Sequence, residues 1–429
     1  GSILYGNSSA ATTVLTKGTA DQVLTSDGTD ISWEDASGGA SDLDGLSDCK
    51  SAGTNFTGSM ILGHETTGTL DNAYSNTAVG LTAMDAITSG YKNVVVGYDA
   101  FTTATEAWSC TAIGWQAGKA ITTGYQNTVV GNNAGALSLE TGIRNTYMGY
   151  DAGLSASGGY NTYIGMQAGQ GAGTGDRNAA VGDYSMGTTG SSHSSAGLGE
   201  RSLGALAGGD GNTGLGRYGG GGITTGDYNT CIGYVCGMPD GTQSQATLTT
   251  GSNNILIGQK TSVSAADTSD AIGIGDDLCA YGADYFTTGI SANRLYAAIN
   301  GSSTSWSADS DERLKENIET STAGLSFIND LRPVTYNWKK LGDLPEDMNQ
   351  YIEGSEKVCR GKEYGKVNHG FIAQEVKEVI DNHPEIKEGF GMWMQDDFNV
   401  QGIADGELIP MLVKAVQELT ARIEELEGE

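Results

Sequence analysis

A repeat of 17 residues fills the middle of the chain and constrains its fold more than any other feature. Each unit closes on glycine, and neighbouring closing glycines lie 17 residues apart almost throughout. The spacing is 18 and then 16 residues around Gly149, and it is 25 before Gly258, which indicates an insertion of 8 residues near 239–249. The closing glycines are Gly63, Gly80, Gly97, Gly114, Gly131, Gly149, Gly165, Gly182, Gly199, Gly216, Gly233, Gly258 and Gly275. Because one unit cannot bury its own apolar face and stacked units can, the repeat predicts a β-roll or β-solenoid.

The pattern inside each unit is Asn, Thr, any residue, an aliphatic residue and the closing glycine, as in 76–80, 127–131 and 229–233. The alternation of Thr with an aliphatic residue predicts a short strand with one buried face. The closing glycine fits a bend with positive φ or a close approach of two backbones. We expect the asparagines of successive rungs to form a hydrogen-bonded ladder. Rungs at about 4.8 Å each would make a section roughly 60 Å long.

The composition supports a β-rich repeat and argues against two classes of partner. The chain has 66 Gly but only 5 Pro, which does not fit collagen. Its formal net charge is −29, whereas nucleic-acid binding needs clustered Lys and Arg. We find no apolar run of membrane-spanning length and no secretory signal. We therefore expect neither nucleic-acid binding nor membrane insertion, and the six scattered cysteines fit small buried apolar positions.

The repeats resemble the Asn-Ser-Val-Ala-Ile-Gly units of trimeric autotransporter adhesin heads and the Asn-Thr-Ala-Val-Gly units of phage tail fibres. Both resemblances imply a trimeric, parallel β-roll. Ahead of the repeats, the segment 17–29 resembles a phrase that is common in phage fibre shafts. We therefore divide the chain into a shaft segment at 1–58 that continues from an upstream part, a repeat region at 59–279, a connector at 280–309 and a C-terminal domain at 310–429.

The C-terminal domain has less glycine and more Lys, Glu and Leu than the repeats. Its pattern predicts a small α+β domain: a helix ending near Leu331, a strand at 333–338, and a strand and helix between Gly370 and Pro384. A heptad helix follows, and its mixed Leu and Ile residues are compatible with a trimeric coiled coil. The stripe of that coiled coil is Ile409, Leu412, Val416, Leu419, Ile423 and Leu426.

The sequence Ser-Asp-Glu-Arg-Leu-Lys-Glu-Asn-Ile at 310–318 closely resembles the opening motif of the intramolecular chaperone domain of endosialidase tailspikes. Further motifs of that domain follow in order at 331–336, 370–376 and 408–419, so the resemblance spans 310–429. It implies a homotrimeric chaperone that holds three chains in register and then cuts itself off.

The resemblance also implies the residues of the cut. By motif position Ser310 is the nucleophile and Lys315 its partner in a Ser-Lys dyad, and we expect the cut next to Ser310, at the Ser310–Asp311 bond. Arg313 and Asn317 are candidate supporting residues. A lysine can act as a base for serine if burial lowers its pKa. Taken alone, Ser310 and Asp311 would be a helix N-cap and Lys315 a solvated side chain.

The function implied by these resemblances is that of a phage tail fibre or tailspike, assembled as a homotrimer in the host cytoplasm and attached to the virion. We expect it to bind a cell-surface glycan or other receptor, and to contact other tail or baseplate proteins through its N-terminal side. Aromatic side chains that could stack on sugars or pack inside the repeats are Trp108, Trp115, Tyr98, Tyr150, Tyr160 and Tyr163.

Rival functions stay open. A polysaccharide-depolymerising tailspike would need a pair of catalytic carboxylates in a groove. A bacterial trimeric surface adhesin would carry a membrane anchor of amphipathic strands. A membrane-released transcription factor with the same type of chaperone would need a basic DNA-binding domain. The histidines His64, His193, His369 and His383 are dispersed as surface or turn residues would be, so we predict no metal site and no cofactor.

Overall fold

The computed structural model forms two compact units, Gly1–Asp309 and Ser310–Glu429. It describes residues 3–6, 12–17, 19, 22–26, 31–35, 48–188, 190–239, 245–301, 305–360, 363–387, 390–396 and 398–428. The described parts of the shaft segment include two antiparallel hairpins. Their strands are β1 (Ile3–Gly6), β2 (Thr12–Leu15), β3 (Gln22–Ser26) and β4 (Ile31–Asp35). Apart from residues 16, 17 and 19, the other residues of 1–47 lie outside the described part of the chain, and the boundaries at 58 and 279 stay predictions.

A continuous ladder of short strands forms the rest of the first unit. It begins with β5 (Cys49–Ser51), which pairs antiparallel with β6. The parallel strands are β6 (Met60–Leu62), β7 (Thr77–Val79), β8 (Val94–Val96), β9 (Thr111–Ile113), β10 (Thr128–Val130), β11 (Thr146–Met148), β12 (Thr162–Ile164), β13 (Ala179–Val181), β14 (Ala196–Leu198), β15 (Thr213–Leu215), β16 (Thr230–Ile232), β17 (Ile255–Ile257) and β18 (Ile272–Asp276). Each pairs in register with the strand one rung along, which confirms the predicted β-solenoid of about thirteen turns.

The ladder ends in longer strands that pair differently. Strand β19 (Tyr285–Ile290) pairs parallel with β18, and β20 (Asn293–Ala298) pairs antiparallel with β19. Strand β21 (Ser307–Ala308) then pairs antiparallel with β20. The parallel solenoid therefore passes into an antiparallel meander just before the second unit begins.

The alternation predicted for each strand is present, but its buried face is not the face of the constant aliphatic residue. In the strands β6 to β17 the middle residue is buried, as for Ile61, Val95 and Tyr163. The residue before the closing glycine points outward; we call these residues, from Leu62 to Ile274, the aliphatic row. The first residue of each of these strands lies two positions before the aliphatic residue and is usually Thr. It also points outward, and we call these residues the threonine row.

The solenoid core is filled by residues of complementary size. Where the middle strand residue is Tyr147 or Tyr163, the fourth residue after the closing glycine is Gly153 or Gly169. A Cβ atom on Gly169 would lie 2.4 Å from the Tyr163 ring. At three rungs with a small middle residue, Ala78, Ala180 and Gly197, the same position is a large buried side chain, namely Met84, Met186 and Leu203. At Ala112 the same position is Gly118, and a Cβ there would lie 3.3 Å from the ring of Phe101 of the preceding rung. Volume is thus compensated within a rung or by a neighbouring rung, as dense packing requires.

The predicted asparagine ladder is confirmed and is buried. The backbone N–H of Asn93 donates to Asn76 Oδ1 at 3.0 Å, and Asn93 Nδ2 donates to the carbonyl oxygen of Ala107 at 2.8 Å. The same row continues with Cys110, Asn127, Asn145, Asn161, Asn178, Ser195, Asn212, Asn229 and Asn254. Buried backbone N–H and C=O groups need hydrogen-bond partners. These side chains pair with the backbone donors and acceptors that the short strands leave unpaired.

The closing glycines meet both conditions that the sequence suggested. From Gly63 to Gly258 their φ angles lie between 111° and 140°, where a side chain is strained. They also touch one another, since a Cβ on Gly182 would lie 2.6 Å from the carbonyl carbon of Gly199. The chain can therefore accept only glycine at this bend without separating two rungs.

In its described residues the second unit contains three α-helices and two small sheets. The helices are α1 (Leu325–Asp330), α2 (Ala373–Asn382) and α3 (Leu408–Gly428), and the antiparallel pairs are β22 (Val334–Tyr336) with β23 (Asn368–Gly370) and β24 (Trp393–Gln395) with β25 (Gln401–Ile403). The helix, strand, strand, helix and terminal helix that the sequence predicts occur in that order, and the hairpin of β24 and β25 between α2 and α3 was not predicted. The core contains Phe327, Val376, Ile380 and Leu408 from all three helices. Among the described residues, the search for a helix with the length and hydropathy of a membrane span finds none.

Replacement of a closing glycine tests this geometry. We expect Gly182→Ala to lower the free energy of unfolding by at least about 2 kcal/mol, because it adds backbone strain and a clash between rungs. Gly208→Ala is the matched control, since a Cβ there meets nothing within 4 Å. It should change stability by no more than about 1 kcal/mol. Chemical denaturation of both variants measures the difference, and equal effects would contradict the proposed role of the glycine contact.

Candidate Ser-Lys site at the start of the second unit

The predicted dyad lies in an exposed segment, since the residues 305–322 are all exposed. Within it, Asp311 caps a short 3₁₀ turn at Glu312–Leu314, where its Oδ1 accepts from the N–H of Arg313 at 2.9 Å. The N–H of Lys315 donates to the carbonyl oxygen of Glu312 at 3.0 Å. This single turn reverses the chain and brings the side chain of Lys315 back toward Ser310.

The two residues of the predicted dyad are in direct contact. Lys315 Nζ donates to Ser310 Oγ at 2.7 Å. A protonated amine can hold and orient the hydroxyl in this way, but only a neutral amine has a lone pair that accepts its proton. The contact therefore supplies the geometry of a Ser-Lys pair, and desolvation of the amine would have to supply its basicity.

The two candidate supporting residues do not contact the dyad. Arg313 makes an ion pair with Asp311, with Nε 2.9 Å from Oδ1. Hydrogen bonds from the Arg313 side chain and backbone lower the pKa of Asp311, so the cap stays ionised. Asn317 has a left-handed φ of 53°, and among the described residues no hydrogen bond joins it to Ser310 or Lys315. Arg313 thus fixes the turn that presents Lys315, while any role of Asn317 stays a prediction.

The residue before Ser310 is held on the solenoid side by a contact that the sequence analysis missed. Arg294, on β20, donates to Asp309 through Nε at 2.9 Å and through a terminal guanidinium nitrogen at 3.4 Å. Arg294 also donates to the carbonyl oxygen of Cys279 at 3.2 Å. A two-point guanidinium–carboxylate contact of this kind fixes orientation as well as distance. The chain is therefore anchored at Asp309.

Helix α3 leaves its predicted coiled-coil stripe exposed in the single chain. One side of the helix packs through Leu408 and Ala415, and Glu418 accepts a hydrogen bond from the N–H of Leu325 at the start of α1. The heptad residues are exposed, namely Ile409, Leu412, Val416, Leu419, Ile423 and Leu426. A continuous exposed apolar stripe is typical of a helix that packs against further helices.

His383 is not the surface or turn residue that its sequence context suggested. It is only 9% exposed and lies against the ring of Phe327. Its Nε2 is 2.9 Å from Asp330 Oδ2, and its Nδ1 is 2.9 Å from Glu385 Oε1. The contacts with Glu385 and Asp330 raise the pKa of His383 and lower that of Glu385. The imidazole of His383 therefore joins the end of α1 to the segment after α2.

The aromatic residues proposed for sugar contact divide into three groups. Tyr98, Trp115 and Tyr150 each follow a closing glycine and are about half-exposed on the same edge of the solenoid. Tyr160 is also exposed and lies between two guanidinium groups, those of Arg144 and Arg177. The other two are packing residues: Tyr163 is buried against Tyr147, and Trp108 lies within a stacked column of aromatic rings.

The comparisons with known proteins bear on the second unit. Residues 310–383 match the family model described as the chaperone of endosialidase, and the match begins at Ser310. No match was found among curated proteins or among solved structures. The chaperone match and the β-solenoid together fit a trimeric protein of the phage tail-fibre or tailspike type with a C-terminal chaperone. The resemblance over 384–429 lies beyond the matched residues and stays a prediction.

The His383 contacts predict a pH dependence of local stability. Because the folded pKa is raised above the ordinary value, the stabilisation should be complete below about pH 6.5 and should decrease as the pH rises through the folded value. Hydrogen exchange of peptides from α1 and α2 in the full chain, corrected for intrinsic rates, measures it. His383→Gln should remove this dependence, and His369→Gln, at an exposed histidine, should keep it. Identical pH profiles of the parent and His383→Gln would show that the contact has no such effect.

Proposed function

We propose that this chain is a receptor-binding fibre of a phage tail, whose C-terminal domain aligns three copies and then releases itself by cleavage next to Ser310. Two observations together support the proposal. The chaperone match begins at Ser310, and Lys315 Nζ lies 2.7 Å from Ser310 Oγ. The long solenoid ahead of this point supports a fibre rather than a compact enzyme.

The proposed cleavage is an acyl transfer followed by hydrolysis. Neutral Lys315 takes the proton of Ser310, and Ser310 Oγ attacks the carbonyl carbon of an adjacent peptide bond. The amine of that bond leaves with a proton, and water then hydrolyses the resulting ester to a carboxylate and a free hydroxyl. The Arg294–Asp309 contact would hold the chain on the upstream side of Ser310 during these steps.

Assembly supplies the desolvation that this chemistry needs. Ser310 and Lys315 are exposed in the single chain. Serine needs a neutral amine as its base, so we expect a single chain with an exposed dyad to keep its peptide bond. Packing of three chains against the segment 305–322 would remove water from the amine and favour its neutral form. Cleavage would then follow correct assembly and not precede it.

Intact mass of the denatured, purified protein tests the cleavage. We expect two fragments from the parent and one full-length species from Ser310→Ala and from Lys315→Ala, because each variant lacks one member of the dyad. Lys339→Ala, at an exposed lysine of the same unit, is the matched control and should cleave like the parent. The fragment masses distinguish a cut before Ser310 from a cut after it. Full-length parent protein, recovered as a trimer, would refute the self-cleavage.

The proposed attachment uses the exposed aromatic edge of the solenoid. Tyr98, Trp115 and Tyr150 present rings at intervals of one or two rungs, so they can stack on successive units of an extended saccharide. Aromatic platforms of this kind suit the apolar faces of sugar rings. The activity that we propose for this edge is binding and not hydrolysis.

Binding of the trimer to an array of bacterial polysaccharides tests the attachment. Trp115→Ala combined with Tyr98→Ala should weaken binding by about tenfold or more, because both rings are exposed and make the proposed contact. Tyr228→Ala removes a ring from another row that is more exposed than either of them, and it should leave binding unchanged. Unchanged binding by the double variant would exclude this edge as the receptor site. Release of reducing ends from the array would instead identify a depolymerase.

A further inference from the structure

The outer face of the parallel strands carries two uncharged rows along the length of the solenoid. The aliphatic row contains only Leu, Val, Ile and Met, and the threonine row contains only Thr, Ala, Val, Ile and Met. Neither row contains a charged residue, although 17% of the chain is charged and its formal net charge is −29. Charged side chains are normally the commonest on a water-facing surface, so their absence from every rung needs a cause.

These rows are accessible in the single chain. Leu198 of the aliphatic row is 51% exposed, and Val79, Met148 and Leu215 are each about two-fifths exposed. With strands about 4.8 Å apart, the two rows cover a strip roughly 60 Å long and about 10 Å wide, on the order of 600 Å². This reaches or exceeds the largest apolar patch of most soluble monomers, and patches of this size mark interaction surfaces.

Preference for β-branched residues in strands does not explain the pattern. Such a preference would favour Val, Ile and Thr but would not exclude Lys, Arg or Glu from an exposed strand surface. Other water-facing rows of the same rungs do carry charge. The row after the closing glycine contains Asp183, Glu200 and Arg217, and the row before the asparagines contains Lys92 and Arg144. The two strand rows therefore stay uncharged on every rung, while other water-facing rows of the same rungs carry charge.

We infer that the aliphatic and threonine rows form the interface between the solenoids of three copies of this chain. The inference rests on the proposed trimer and assigns the surface by which the solenoids meet. Three parallel copies aligned by one chaperone place the same rung of each chain at the same height, so each row faces the equivalent rows of its partners. A copy with the same negative charge is repelled by acidic rows, and these uncharged rows can meet without repulsion.

Thiol labelling of the full chain tests this interface. Leu198→Cys puts a thiol in the aliphatic row, and Tyr228→Cys puts one at a position that is 65% exposed in another row. In a single chain both thiols would be accessible and would react with a bulky maleimide at similar rates. In the native trimer we expect Leu198→Cys to react at least about tenfold more slowly than Tyr228→Cys. Unfolding in denaturant should make the two rates equal.

The readout separates failure of the interface from failure of the trimer. Peptide mass spectrometry assigns label to the introduced thiol and not to the native cysteines, and native mass gives the number of chains. A trimer in which Leu198→Cys and Tyr228→Cys react equally fast would overturn the interface while leaving the proposed function intact. A monomeric native mass would overturn the proposed trimer and the interface with it. Slow reaction of Leu198→Cys together with a trimeric mass is the supporting result.

Discussion

Backbone contact between successive rungs is the constraint on which the solenoid depends. At the closing glycines there is no room for a Cβ atom, so the backbones themselves set the distance from one rung to the next. The asparagine row uses the same distance, because each amide oxygen reaches the N–H of the following rung. The closing glycines and the asparagine row thus fix the distance between rungs. The core residues can then vary from glycine to tyrosine, provided that their neighbours compensate in volume.

The contrast between the glycine and asparagine rows, which are fixed, and the core positions, which vary, explains which parts of the fold could be predicted from the sequence. Glycine and asparagine at fixed positions satisfy backbone requirements that few other residues satisfy, so the strand positions, the bend and the ladder were predictable. Which face of each strand is buried was not predictable from the sequence. A valine fits either face of a strand, and only the packing of the completed solenoid decides between the two. The left-handed backbone conformation of Lys92, Gln126 and Tyr160 could not be predicted either. None of these three residue types is one that favours this conformation.

The candidate site likewise contains contacts that could be predicted from the sequence and contacts that could not. The contact between Ser310 and Lys315 was predictable only through the family motif, because the short turn that brings them together has no strong signal of its own. The environment of His383 was not predictable, since Asp330 lies 53 residues earlier in the chain and approaches only when α1 and α2 pack. Arg294 and Asp309 are likewise 15 residues apart and meet only because β20 and β21 pair. Local sequence specifies turns and caps, whereas such pairs are specified by tertiary structure.

A ladder of nearly equal rungs has an inherent problem of alignment. Three copies displaced by one 17-residue unit would still place uncharged rows against uncharged rows, and they would lose only the contacts at the two ends. The proposed solenoid interface would therefore specify one register weakly, although its many rungs would stabilise the trimer strongly once that register is chosen. A separate domain that aligns the chains solves this problem, because its contacts occur once per chain and not once per rung. Once the solenoids had packed in this way, that domain would contribute little to the stability of the trimer. Its removal would then make the trimer kinetically permanent, since chains that separate could no longer find their register.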